Sequence, residues 1–478
     1  MSNESDDAPW YRQRTYAHFD RRPSRDRVLA YVRDPERVAR HGFFPFIMRP
    51  VRVCHFKADG AGRRRHVYKV RPVTYAAHMD TQIHAYYAYD LNQRLEVRLQ
   101  DAYGCSVLAY RQHHPPRSNI DFALEAFGEV IERGEADVLA VDVEGFFDGL
   151  SHELLKAAWA DLLGVDRLPS DHFAVFRSVT TDHAIEWPEL RRVLGEKYRR
   201  RAGATGEPIC TLADFRQKVA PLAEPRHSLV WKVKGKAPPP CIPIGVPVGI
   251  PQGSAISAVL ANLYMRNVDA QLFSALGARG ASYRRYSDDI LVICAPGDLK
   301  VVEAIVKGAL AAVKLAVNDK KTERIEFRLS AGKLSSTYIT PAGNQHPGRP
   351  MQYLGLTFNG EKARLRDGTI SRYLIRMNRA VTRGRYAAEN DEPARIKRRK
   401  IYATMSELGA GQAYGPWKFE DGRRLPPDCA PRPGFLNYAT RAHAKADARS
   451  GIEKQNLRAW EKLHQALRKE LGKVKKKT

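Results

Sequence analysis

An α+β fold with antiparallel strand pairing is predicted by three features of this 478-residue sequence. The apolar run Ala136-Asp137-Val138-Leu139-Ala140-Val141 reads as a buried strand that delivers an acid, Asp142, at its end. Tyr283-Arg284-Arg285-Tyr286 and Ile290-Leu291-Val292-Ile293 read as the arms of a β-hairpin bent at Ser287-Asp288-Asp289. Long stretches of helical periodicity precede, separate and follow these strands, and 43% hydrophobic residues provide core for more than one domain.

In chain order, Met1 to Asp7 is polar and acidic, without the basic start and apolar core of a signal peptide. No stretch approaches the roughly 20 apolar residues that span a bilayer, so a cytoplasmic location with no membrane partner is expected. Lys69-Val70-Arg71-Pro72-Val73 reads as a basic strand, and Met79 to Gln100 as a helix of alternating aromatic and polar residues. The strand ending at Asp142 turns at Gly145. Ser151 then caps a helix through Leu163, with further helical stretches past Pro169 and Pro188. Lys197, Arg199, Arg200 and Arg201 read as a solvated basic face, and Pro238-Pro239-Pro240 marks a return of the chain. Gly249-Ile250-Pro251-Gln252-Gly253-Ser254 is a loop opening into a helix from Ala255 to Met265; Gly253 would let backbone approach a substrate closely, and Gln252 offers both a donor and an acceptor. Val301 to Leu315 is amphipathic, Gly368 to Tyr402 is basic and helical in pattern, and Gly409 to Pro433 reads as a loop. A last helix is predicted over Gly451 to Leu471. Ile452, Trp460, Leu463, Leu467 and Leu471 form its docking face, Arg and Lys lie opposite, and Lys473, Lys475, Lys476 and Lys477 form a tail.

Two neighbouring carboxylates at the bend of an apolar hairpin are costly unless a cation neutralises them. Asp288 and Asp289 therefore read either as a solvated turn or, with the strand-end Asp142, as metal ligands. The chain carries 79 Lys and Arg against 53 Asp and Glu, a formal charge of +26 and a pI near 9.8. Residues 361 to 478 hold 29 basic and 13 acidic residues, so +16 of that excess lies there. Such a charge suits a polyanion whose condensed counterions are released on binding. The six cysteines show no Cys-x-x-Cys pair or Cys/His ligand spacing, which argues against zinc and against a disulfide framework.

The order of these features carries a resemblance. Asp142-x-x-x-Phe146-Phe147-Asp148, Pro251-Gln252-Gly253-Ser254 and Tyr286-Ser287-Asp288-Asp289 resemble motifs A, B and C of the reverse transcriptases. Asn318-Asp319-Lys320-Lys321-Thr322-Glu323 is similar to motif D and Tyr353-Leu354-Gly355-Leu356 to the primer-grip motif E, so the likeness covers about Arg64 to Phe358. It implies a right-hand polymerase with fingers over 1–135, a palm over 136–360 interleaved with a helical segment at about 156–240, and a basic helical thumb over 361–478. It also implies an RNA-directed DNA polymerase that uses two Mg2+ ions, deoxynucleoside triphosphates and an RNA template to make a DNA product. On that likeness Asp142, Asp288 and the Val143 carbonyl hold metal, with Asp289 a supporting charge. Phe147 sits beneath the nucleotide sugar and excludes a 2′-hydroxyl. Lys69 and Arg71, of which Arg71 matches better, meet the triphosphate together with Gln252 and Gly253. Lys321 lies near the leaving pyrophosphate, and Tyr286, Tyr353, Leu354 and Gly355 touch primer and template.

Softer likenesses run from Arg71 to Leu99, from Ala109-Tyr110-Arg111 to Asn119-Ile120-Asp121-Phe122-Ala123, and through Arg398-Lys400-Ile401-Tyr402 and Gly415-Pro416-Trp417. They are similar to the bacterial defence-associated reverse transcriptases and imply an antiviral enzyme that copies a dedicated non-coding RNA. A retron or group II intron type enzyme is the alternative within the class. No region resembles an RNase H, integrase or HNH nuclease domain, and no Val-Thr-Gly segment of the retron kind follows the palm. A non-catalytic RNA-binding scaffold is the alternative outside the class, and the acids argue against it because without metal they repel phosphate.

Overall fold

The computed structural model describes residues 8–58, 64–100, 102–112, 116–195, 206–242, 246–389, 398–405, 418–420, 423–425 and 435–475. The Met1 to Asp7 segment, the Lys197 to Arg201 cluster, Gly415 to Trp417 and Lys476 and Lys477 lie outside the described residues. The architecture is α+β. Two compact units are formed, one from 1–112, 141–292 and 300–322, the other from 113–140, 293–299 and 323–478. None of the described helices is long and apolar enough to cross a membrane.

In the first unit, the long strands Phe46–Ala58 and Arg64–Tyr75 pair antiparallel, with Val51 opposite Arg71 and Val53 opposite Lys69. Directly paired residues share a sheet face, so Lys69 and Arg71 lie on one face of this hairpin. The first of the two strands also pairs in parallel with the short His183–Glu186 strand. The next helix, His78–Arg98, has Ala77 at its N-cap, which has no side-chain acceptor. Asp20 supplies the cap from outside, accepting from the backbone N–H of His78 and Met79 at 2.8 Å each. Ser151 stands at the N-cap of His152–Leu163, but its side chain makes no capping bond. The helix expected to end at Met265 runs from Ser257 to Gly277, because Val268, Leu272 and Leu276 continue its buried face. Strands Ser282–Tyr286 and Asp289–Cys294 are neighbours joined by a two-residue turn, as expected for the hairpin.

The second unit begins with Asn119–Arg133, whose Ser118 and Asp121 form a capping box and which ends at Gly134 with φ 73°. Ala136–Ala140 pairs antiparallel with Glu323–Ser330, that strand with Lys333–Ile339, and the latter with Gln345–Pro347. A three-stranded meander follows, Met351–Tyr353, Leu356–Phe358 and Ala363–Leu365. Phe358 stacks on Phe127, with ring centroids 4.9 Å apart. Helices Asp367–Glu389, Arg398–Met405, Phe435–Ala446 and Glu453–Lys475 bury Tyr373, Met377, Ile401, Leu436, Leu463 and Leu467 in one cluster. Each large aliphatic side chain so buried contributes about 1.5–3 kcal/mol.

Trp460 is half-buried and packs against the same cluster, stacked on His464. Two expectations for this region are corrected. The stretch read as a loop contains paired strands Lys418–Glu420 and Arg423–Leu425, since pairing satisfies their backbone groups. The last helix continues to Lys475 rather than leaving a tail from Lys473.

Candidate active site

The turn bearing the paired acids is fixed from below. Ser287 adopts φ 60°, a left-handed conformation that costs a side-chain-bearing residue about 1–2 kcal/mol. Arg285, fully buried, donates to the Ser287 carbonyl at 3.1 Å and to Asn262 Oδ1 at 3.2 Å. Its Nε and Nη2 donate to the buried Asp269 carboxylate at 2.7 and 2.6 Å, and Tyr283 donates to the same group at 2.7 Å. Burial opposes the guanidinium charge, and Asp269 more than restores it, so Arg285 holds its proton more tightly than usual. A buried pair left with one partner costs about 3–5 kcal/mol, which makes this a rigid footing.

Asp142 and Asp288 are brought together by backbone. Val143 N–H donates to the Asp288 carbonyl at 3.0 Å, and Asn318 N–H to the Asp142 carbonyl at 2.9 Å. The turn closed by Lys321 N–H to the Asn318 carbonyl, 2.9 Å, sets Lys321 Nζ 2.5 Å from Asp142 Oδ1. Asp288 is half-buried; burial raises its pKa, the Asp142 charge adds to the rise, and Lys321 opposes it. Lys69 is shifted down by partial desolvation and then by Lys321 and Arg71, with Asp142 acting oppositely. The basic strand and Lys321 therefore converge on the Asp142 side of the turn. Asp289 is exposed.

Phe147 is half-buried, packed edge-on to Phe146 at 5.4 Å, and its carbonyl accepts from Ile250 N–H at 2.8 Å. Asp148, buried, accepts from Lys234 Nζ at 2.5 Å and from Gln252 Nε2 at 3.4 Å. The Gln252 carbonyl accepts from Thr74 N–H at 2.8 Å. Gly253 has φ 113°, and a Cβ there would lie 2.5 Å from the Thr74 carbonyl oxygen. The absence of a side chain at Gly253 thus admits the backbone of the Arg64–Tyr75 strand. His84 supports the same loop: its ring nitrogens lie 2.8 Å from Ser178 Oγ and 3.2 Å from Ser254 Oγ, and burial lowers its pKa to about 3.

Within the second unit, Leu354 at φ 44° and Gly355 at φ 92° form the turn of the meander. Asn119 Nδ2 donates to the Leu354 carbonyl at 2.8 Å, and Tyr353 is buried.

Sequence reasoning missed Arg285, Asp269, Asn262 and Lys234, and gave Asp148 no role beyond its place in the first motif. A signal existed for the first three: Tyr283 and Arg285 share a strand face, and Asn262 and Asp269 recur at helical spacing inside an apolar helix.

Among the described residues no group of three or more His, Cys, Asp or Glu side chains is gathered as a metal cluster. The chemistry of the donors present is two carboxylates and backbone carbonyl oxygen, an all-oxygen set suited to a hard divalent cation that takes its remaining ligands from water and phosphate.

Residues 244–358 match the family model described as reverse transcriptase (RNA-dependent DNA polymerase). The match lies within the α+β part of the chain. The matched segment begins before the 249–254 loop and ends after the meander turn at Leu354 and Gly355, so it takes in the turn that carries Asp288 and Asp289. Domains of this family use divalent metal ions.

No curated relative matches the chain. Among solved structures, apo telomerase from Candida tropicalis truncated from its C-terminal domain is similar over 69% of this chain and 57% of that one, at 11% identity and a TM-score of 0.35. Telomerase from Candida albicans in complex with a TWJ fragment of telomeric RNA is similar over 72% and 53%, at 11% identity and 0.33. The chain spans about half the length of these telomerase chains.

Proposed function

We propose that the chain is an RNA-directed DNA polymerase and that its nucleotidyl transfer uses two Mg2+ ions held by Asp142, Asp288 and the Val143 carbonyl. The observation that carries this reading is the Val143 to Asp288 backbone bond, 3.0 Å, which sets two acids side by side with Lys321 against one of them. Two such ions, when bound, stabilise the attacking and leaving oxygens of an in-line displacement at phosphorus. Lys69 and Arg71 bind the triphosphate, Arg71 with the geometry of a bidentate fork. Lys321 neutralises the leaving pyrophosphate or gives it a proton. Phe147 excludes the 2′-hydroxyl, Gln252 and Gly253 shape the nucleotide side, and Tyr286, Tyr353, Leu354 and Gly355 hold primer and template. Asp289 is a supporting charge. Fingers, palm and thumb correspond to 1–135, 136–360 and 361–478.

The biological setting in this reading is bacterial antiphage defence, in the cytoplasm, with a dedicated non-coding RNA as template. The softer likenesses to defence-associated enzymes support it. Asp142→Asn or Asp288→Asn keeps shape and removes charge, so incorporation should fall by more than about a thousandfold while RNA binding persists. Near-normal incorporation by Asp288→Asn would end the metal assignment. Protein expressed from its own locus should copurify with one abundant small RNA encoded nearby, and complementary DNA to it should require Asp288. A heterogeneous bound RNA, with phage plating indifferent to Asp288→Asn, would remove the antiviral reading and leave the polymerase.

A further inference from the structure

Tyr110 is distant in sequence from every residue assigned above, yet the fold sets it beside the catalytic turn. Val107 forms a parallel bridge with Arg285, and Leu108 N–H donates to the Arg285 carbonyl at 2.9 Å. The Ala109 carbonyl accepts from Asn262 Nδ2 at 2.9 Å, and Asn262 in turn accepts from Arg285. Val107 to Ala109 is therefore stapled along the hairpin that carries Asp288. Tyr110 follows at φ 62°, a conformation that residues with a Cβ rarely adopt, with its side chain about half exposed. Strain of this kind persists only where the surroundings over-determine it, and the pairing of Val107 and Leu108 with Arg285 and of Ala109 with Asn262 does so.

Lys69, Arg71 and Lys321 gather on the Asp142 side. On the other side Tyr286 lies within electrostatic reach of Tyr110 and Asp289. Of the cations near there, Arg285 is paired with Asp269, Arg111 with Glu96 at 2.8 Å, and Arg284 Nη1 donates to Ser282 Oγ at 3.0 Å. Two neighbouring phenols suit an uncharged sugar and base, which they contact by stacking and hydrogen bonding.

We propose that Tyr110, with Tyr286, binds the sugar and base of the nucleotide that ends the growing strand, and so positions its 3′-hydroxyl toward Asp142 and Asp288. This rests on the polymerase reading. The test uses the full chain and a primer–template whose growing strand ends in 2-aminopurine, bound without metal so that no chemistry intervenes. Tyr110→Gly suits the left-handed backbone and removes the ring; it should relieve quenching of the terminal base, while 2-aminopurine in the template one position ahead is unaffected. Tyr110→Phe should quench as wild type. With metal, Tyr110→Gly should lower the maximal single-turnover rate about tenfold and leave the nucleotide concentration at half-maximal rate within about twofold. Wild-type quenching and rate in Tyr110→Gly would overturn the proposal. So would unchanged terminal quenching combined with weakened nucleotide saturation, which would turn Tyr110 toward the incoming nucleotide. A wild-type protein that incorporates nothing yet quenches the terminal base through Tyr110 would fail the polymerase reading and keep this site.

Discussion

Phe147 owes its place to local geometry more than to core filling: Gly145, at φ 59°, starts the short Phe146–Gly149 turn, which buries Phe146 and leaves Phe147 half-buried. A ring that is only partly committed to packing can be trimmed without a large cavity. Phe147→Val should therefore fold and raise ribonucleotide use relative to deoxyribonucleotide use by about ten- to a hundredfold, read by competition at a single template position. An unchanged ratio in the folded variant removes the gate assignment. At this scale the acids were legible, because a carboxylate at an apolar strand end or hairpin bend is expensive without a reason. Their footing was not. Strand alternation puts Arg285 on the face of Tyr283 and Arg284 on the other, but that the Arg285 face is the buried one is decided by Asp269 on another element.

Elements were legible where their signals are local. The His78–Arg98 helix and the turn after Tyr286 lie close to where periodicity and composition place them. The loop before Ser257 was legible as a loop, but its anchoring to Thr74 was not, because the contact is non-local. That anchoring is testable. Gly253→Ala puts a Cβ against the Thr74 carbonyl at a φ that alanine resists, so it should cost about 2–3 kcal/mol of stability and most of the activity. Gly128→Ala, in a helix with open space at its Cβ, should be neutral or stabilising in the same thermal-unfolding experiment. His84 behind this loop and His18 are both buried, with desolvation first among the causes that lower their pKa to about 3. A folded-state pKa below the unfolded value near 6.5 means that the unfolded chain takes up the proton first. Stability is thus complete above about pH 6.5 and declines as pH falls toward 3, by about 1.4 kcal/mol per pH unit for each histidine. His84→Gln should flatten the decline between pH 6 and 4 by one proton in urea unfolding; an unaltered slope would mean that His84 titrates freely.

For the whole molecule, net charge was countable from the sequence, whereas the grouping of 113–140 with 323–478 was not. That grouping depends on Ala136–Ala140 pairing with Glu323–Ser330, and each strand alone reads only as a strand. The basic excess of 361–478 has a structural carrier in the Glu453–Lys475 helix, where Leu463 and Leu467 face the core and Lys454, Arg458 and Lys469 are exposed. An exposed basic face has two possible uses, solvation or phosphate contact, and salt dependence separates them. Cations that contact phosphates release counterions, so each contact adds about 0.9 to the slope of log affinity against log salt for duplex DNA. Changing all three to Gln should weaken primer–template binding at low salt and flatten that slope by roughly 2 to 3 if each meets a phosphate. Thermal stability should stay near wild type, because isolated surface charges contribute little to folding. A triple variant that binds more weakly with an unchanged slope would place the loss in packing rather than in phosphate contact, and one that binds normally would leave this face to solvent.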